Sequence, residues 1–218
     1  MSDSVKSESK SPSCSSSSIK KSFIYTRTGD KGLTSLYNSV RLCKSEQFFN
    51  ALGTVDELNS VLGIANEYAL LENNSLSSLI LTIQCILFDI GSCLATPKTS
   101  DSTAEQLKRV EFDIINIVNI EKLIDQYDSE LPKLTHFILP SGGGLCSTHL
   151  HLARATARRA ERETVDLVNK ELVDNSVLVY LNRLSDLLFV LARYSAHKAG
   201  KNETIWKKAT HKAINTIY

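Results

Sequence analysis

The sequence predicts an all-α fold, a bundle of five long helices preceded by an extended N-terminal arm. Apolar residues recur at helical spacing in five successive segments, and no strand-like run appears in the core between them. Pro97, the Pro- and Gly-rich stretch 131–144 and Gly200 fall where periodic segments stop. The outline is ferritin-like, but no Glu-x-x-His occurs. A di-iron carboxylate site is therefore disfavoured, and no residue is assigned as a metal ligand.

Taken in order, Met1 to Ser22 is dominated by serine, broken by Pro12 and nearly free of apolar residues, which predicts a disordered tail. Its serine content suits a mitochondrial transit peptide, which would place the protein in mitochondria. Its lack of arginine, with Asp3 and Glu8, argues against one, and without import the chain would be cytoplasmic. Residues 23–218 form the bundle domain. Phe23 to Leu36 alternates Thr, Gly and Lys and reads as an extended arm with turns. Phe48 to Leu71 is the first helix, through Leu52, Val55, Leu58 and Leu62. Leu76 to Leu94 is apolar almost all round, as expected of a central helix. Thr103 to Tyr127 is the third, with Asp101 or Ser102 as its cap. Ser147 to Leu172 is the fourth. Asp174 to Gly200 is the fifth, lined by Leu181, Leu184, Leu187, Leu188 and Leu191. Val177 to Tyr180 is β-branched enough to suggest a strand, but the periodicity that follows overrules it.

A net charge of +1 gives no global case for nucleic acid, so any basic site must be local. No segment reads as a membrane span, so no membrane partner is expected. The five cysteines are odd in number and lack a Cys-x-x-Cys pair. That points to a reducing compartment and to cysteines acting as small buried hydrophobes.

The most informative stretch is Leu150 to Arg162. Arg154, Arg158 and Arg162 are four residues apart and stay on one side of a helix, while Ala153, Ala157 and Ala160 form a stripe where another helix can approach closely. Glu161 and Glu163 answer part of the charge. The remainder suits a polyanion such as a triphosphate; the alternative is a solvated basic face. In the arm, Tyr25-Thr26-Arg27-Thr28-Gly29-Asp30-Lys31-Gly32 is not a Walker A loop, yet it has the parts of a phosphate cradle. Gly29 and Gly32 free backbone amides, Thr26, Thr28, Thr34 and Ser35 add hydroxyls, and Arg27 and Lys31 add charge. A polar turn is the alternative.

Three further motifs are ambiguous by themselves. Asn182 and Asp186 lie one turn apart, with Arg183 and Asp186 spaced for an i,i+3 ion pair. Asn182 costs helix propensity, which argues for a specific hydrogen bond. Asp56 and Glu57 near a helix start favour the macrodipole, and Arg154 is an available cationic partner. Phe137 to Gly144 could be a lid, a pocket wall or a buried connector. No Gly-x-Ser-x-Gly and no Cys/His pair occur, so any chemistry here needs no protein nucleophile.

Together, Tyr-Thr-Arg-Thr-Gly-Asp-Lys-Gly (25–32), Gly-Thr-Val-Asp-Glu-Leu-Asn-Ser (53–60), Phe-Ile-Leu-Pro-Ser-Gly-Gly (137–143), Arg-Arg-Ala-Glu-Arg (158–162) and Leu-Asn-Arg-Leu-Ser-Asp (181–186) resemble the PduO-type ATP:cob(I)alamin adenosyltransferases. The resemblance implies a five-helix bundle assembled as a homotrimer with intersubunit sites. It implies transfer of the 5′-deoxyadenosyl group of ATP to reduced cobalamin, with release of triphosphate. Thr26, Arg27, Thr28, Gly29, Thr34, Ser35 and Lys44 would hold ATP, and Arg158, Arg159, Ala160, Glu161, Arg162 and Asn182 would complete that site. Asp56 and Arg154 would form an intersubunit ion pair. Phe137 would lie against the corrin and keep the lower cobalt face free, and Arg183 and Asp186 would shape the cobalamin side. Asp56, Phe137, Arg154 and Arg158 are the implied catalytic set.

The connection between Phe137 and Arg154 is one residue longer than the family spacing, with Gly144 the extra residue. Co(I) is itself the nucleophile, which fits the missing protein nucleophile. Mg²⁺ would be bound through the triphosphate. A reductase and an adenosylcobalamin-dependent enzyme are the implied partners. The readings from other classes are a non-catalytic nucleotide- or cobalamin-binding or delivery module, and a structural helical oligomer.

Overall fold

The computed structural model describes residues 22–209. The expected Ser-rich tail, Ser22 apart, lies outside the described residues. The arm folds into a short antiparallel hairpin, β1 (Leu33–Ser35) and β2 (Arg41–Cys43), with Thr34 opposite Leu42. Six helices follow: α1 (Gln47–Glu72), α2 (Ser77–Leu94), α3 (Ala104–Arg109), α4 (Ile115–Ser129), α5 (Leu145–Asn169) and α6 (Asn175–Lys198).

Four helices match the periodic segments closely, but the third segment does not form one helix. Thr103, rather than Asp101 or Ser102, caps α3 through a capping box with Gln106. The chain then leaves the helix from Val110 to Asp113. Phe112 turns into the core against Tyr180, Cys93 Sγ donates to the Val110 carbonyl, and Asp113 Oδ1 accepts from the Ile115 amide to start α4 afresh. Burying one aromatic ring and meeting these polar groups outcompetes continuous helix.

α6 is the central helix, not α2. Leu181, Leu184, Leu187, Leu188 and Leu191 of α6 are wholly buried between α4 and α5, whereas α2 packs on α1 and leaves Leu81 and Phe88 exposed. By length and composition α2 and α6 are both apolar enough to cross a membrane, contrary to the sequence reading. Both helices pack within the bundle. α1 and α5 run antiparallel in close contact because Ala153, Ala157 and Ala160 are fully buried. Glu72, at the end of α1, caps the start of α5: its Oε1 accepts the Leu145 and Cys146 amides at 3.1 and 3.2 Å. α6 stops at Gly200, whose φ of +64° is the left-handed stop expected of it.

Candidate functional site

The α5 ladder forms as read, but its counter-charges differ. Glu163 accepts from Gln47 at the head of α1 (2.9 Å), and Glu161 from Asn182 (2.8 Å). Arg159 is instead met by Glu57 of α1. Arg154, Arg158 and Arg162 have no carboxylate partner among the described residues. Arg162 donates to the Arg158 carbonyl at 3.0 Å, and Arg154 Nε is buried with no hydrogen-bond partner among the described residues. A helix closed on one side by alanine backing and left with three unanswered guanidinium groups is suited to an anion brought from outside the chain.

Beside it on α6, Asn182 Oδ1 accepts from Arg183 Nη1 at 2.6 Å, so both ends of the amide are used. Arg183 does not pair with Asp186. It reaches across to Glu121 of α4 at 3.0 Å, and Asp186 stands exposed with no ion pair among the described residues. An exposed i,i+3 pair gains little, and the longer reach adds a tie between helices.

The arm is mostly exposed. Thr26 and Thr28 share a 2.8 Å hydroxyl contact, Arg27 has φ of +62° and lies over the Tyr25 ring, and Arg41 donates to the Thr28 carbonyl at 2.6 Å. The Lys44 amide donates to the Gly32 carbonyl. A methyl group on Gly29 would stand 3.2 Å from Lys44 Nζ, so glycine keeps that ammonium close to the loop. The elements thus gather Thr28, Gly29 and Lys44 at one spot. Thr34 and Ser35 follow on β1, and Arg41, which the motif reading passed over, fastens the loop.

Asp56 lies in the third turn of α1, so the macrodipole does not account for it. It is exposed and lines a cavity of about 650 Å³ with Asn59, Phe88, Arg109 and Phe112. Asp56 and Arg154 do not meet within the chain. Phe137 projects at 82% exposure, and the contacts of its segment run to residues 204–206, past the end of α6. The glycine run is neither a loose lid nor a wholly buried connector: Gly142 is exposed, Gly143 buried and Gly144 half-buried.

Three ionisable groups are set by burial. His151, one turn before Arg154, is pushed from about 6.5 down to about 4, chiefly by desolvation, helped by the Arg154 charge and opposed by Glu203. Burial raises the Cys93 thiol to about 11 and lifts Cys146 as well, so neither supplies a thiolate near neutrality. Cys93 and Cys146 are the buried hydrophobes expected of cysteine; Cys43 and Cys85 are exposed instead, and Cys14 lies outside the described residues.

Residues 24–195 match the family model described as cobalamin adenosyltransferase. The chain is 47% identical over 197 residues to the corrinoid adenosyltransferase MMAB of Bos taurus, covering 90% of this chain and 81% of that protein. It is 39% identical over 190 residues to the corrinoid adenosyltransferase of Bacillus subtilis, covering 85% and 93%. Among solved structures it resembles a variant PduO-type ATP:corrinoid adenosyltransferase from Lactobacillus reuteri complexed with cobalamin and ATP. The TM-score is 0.76 at 35% identity, covering 85% of this chain and 99% of that one. A further variant complexed with ATP gives 0.75 at 36% identity, covering 84% and 100%.

Proposed function

The chain belongs to the cobalamin adenosyltransferase family, and from that premise we propose how its residues share the work. The protein is an alkyl transferase that uses ATP to adenosylate cobalamin. The observation that carries the residue assignment is the unanswered guanidinium ladder of Arg154, Arg158 and Arg162 beside a satisfied Asn182–Glu161 pair.

In this reading Arg158 and Arg162 grip the polyphosphate, with Arg159 held in place by Glu57. Thr26, Thr28, Gly29, Thr34, Ser35 and Lys44 of the arm close on it from a neighbouring protomer, and Arg27 adds charge. Ala160 gives the close backing, and Asn182 with Glu161 fixes the α5–α6 edge against which the nucleoside rests. The electron pair of Co(I) attacks the 5′-carbon of ATP, the carbon–oxygen bond breaks, and the bonding pair leaves on the triphosphate. Guanidinium groups already aimed there stabilise the developing charge without reorganising. Phe137 lies against the corrin and keeps water from the lower cobalt face, while Arg183 and Asp186 line the cobalamin side.

Among the described residues no cluster of three or more His, Cys, Asp or Glu side chains could hold a metal ion. Mg²⁺ fits only through phosphate oxygens, where it adds charge neutralisation. Three features support a homotrimer with sites between subunits: the exposed Leu81–Phe88 face of α2, Asp56 and Arg154 with no ion pair among the described residues, and the open arm. A reductase must supply the Co(I) substrate, and an adenosylcobalamin-dependent enzyme consumes the product.

The test is anaerobic incubation of the full chain with ATP and chemically reduced cobalamin, following the cobalt–carbon bond by visible absorption. Saturable product formation supports the reading. Binding of both ligands without product would make the chain a delivery module instead, and binding of neither would leave only a scaffold.

A further inference from the structure

Beyond α6 the chain doubles back instead of leaving the bundle. The Leu139 amide donates to the Thr204 carbonyl and the Trp206 amide to the Phe137 carbonyl, each at 2.8 Å, with Ile138 bridged antiparallel to Ile205. Residues 137–139 and 204–206 therefore form a two-stranded ribbon, and the Trp206 ring stands edge-on to Phe137 at 6.5 Å between centroids. Isolated, so short a ribbon is not stable. Arg193 of α6 supplies the anchor. Only 4% exposed, it donates to Glu203 at 2.6 Å, to the Pro132 carbonyl at 2.8 Å and to Asp128 at 3.4 Å. One buried guanidinium thus ties the end of α4, the segment leading into Phe137 and the returning strand. Gly142, at φ +88°, completes the fit, because a methyl group there would overlap Thr204 Oγ1.

We infer that residues 203–206 are a positioning strap for Phe137, with Trp206 holding its ring and the Arg193–Glu203 pair fixing the strap. The inference rests on Phe137 being the corrin-facing residue. Phe137 is exposed on its remaining sides, and a ring that must keep water from a metal face needs a fixed angle. The strap's backbone bonds set the position of the Phe137 main chain, and its tryptophan limits the side chain. Glu203 and Trp206 are positioning residues; they lie outside the matched 24–195 span.

Steady-state kinetics on the full chain, varying cob(I)alamin and ATP separately, test this. Trp206→Ala should raise the cobalamin KM about fivefold or more with the ATP KM within about twofold, and Trp206→Phe, which keeps a ring edge, should restore it. Trp206 is the single tryptophan of the chain. Glu203→Gln should therefore shift its emission to the red with unchanged helical circular dichroism, a readout independent of turnover. The strap is overturned if Trp206→Ala leaves both KM values unchanged or moves both equally, or if Glu203→Gln leaves the emission where it was. Phe137→Ala separates the two levels. If it raises the cobalamin KM while Trp206→Ala does not, only the strap fails. If Phe137→Ala has no effect, its corrin role fails first and the strap with it.

Discussion

Asn182 Nδ2 on α6 donates a 2.8 Å hydrogen bond to Glu161 Oε1 on α5, joining the two helices that carry the polar residues assigned to the nucleotide. The amide oxygen is taken by Arg183. Removing the amide leaves a part-buried carboxylate and a guanidinium each short of a partner. Asn182→Ala should cost about 1–3 kcal/mol in stability by thermal denaturation and raise the ATP KM. Asn182→Asp should be worse than alanine, because it sets a second carboxylate against Glu161 and reverses the charge pattern beside the ladder.

Arg158 has no ion-pair partner among the described residues and is exposed, so the fold does not depend on it. Arg158→Ala should leave the thermal midpoint and helicity unchanged while reducing kcat/KM for ATP by the equivalent of about 2–4 kcal/mol. Arg158→Lys should recover only part of that, since an ammonium keeps the charge without the two-pronged geometry. Unfolding of Arg158→Ala would make the residue structural and remove it from the nucleotide site.

Much of the bundle was legible because burial repeats locally. The leucines of α6 and the alanine stripe of α5 declare their faces within a few turns. What escaped is set by partners distant in sequence. Nothing near Val110 signals that Phe112 will turn inward to Tyr180 and split the third helix. Nothing near Arg183 favours Glu121, 62 residues away, over Asp186 three residues on. α2 read as central because its composition is apolar on every side, and composition does not distinguish a core position from an exposed apolar face. The arm, the ladder and Asn182 were legible as parts of a candidate site from charge and glycine placement. The proposed division between protomers came from the family resemblance alone, because no pattern within one chain marks Asp56 and Arg154 as a pair.

His151 sets an acid limit on stability. Folded, its ring takes a proton only near pH 4, against about 6.5 unfolded, because burial and the nearby Arg154 disfavour the cation. Between those values the unfolded chain holds the extra proton. Stability is therefore fully present above about pH 6.5 and falls as the pH drops towards 4, by at most about 1.4 kcal/mol per pH unit. Chemical denaturation at pH 7, 6 and 5 should show that slope, and His151→Leu should flatten it. An unchanged slope in the variant would mean another group carries the acid sensitivity.

Asp56 and Arg154 give a test of assembly that is independent of catalysis. Asp56 is exposed on the third turn of α1, and Arg154 has a buried Nε whose proton finds no acceptor among the described residues. If each faces its counterpart on a neighbouring protomer, a single reversal places like charges together. Asp56→Arg and Arg154→Asp should then each shift sedimentation from trimer towards monomer, with helicity retained. The double variant rebuilds the pair with the signs exchanged and should recover assembly by at least half of the lost free energy, the signature of direct coupling in a double-mutant cycle. Additive losses would mean that the two residues act at separate places. A wild-type chain that sediments as a monomer and still turns over would remove the intersubunit site altogether, and with it the proposal that the arm of one protomer closes on the arginines of the next.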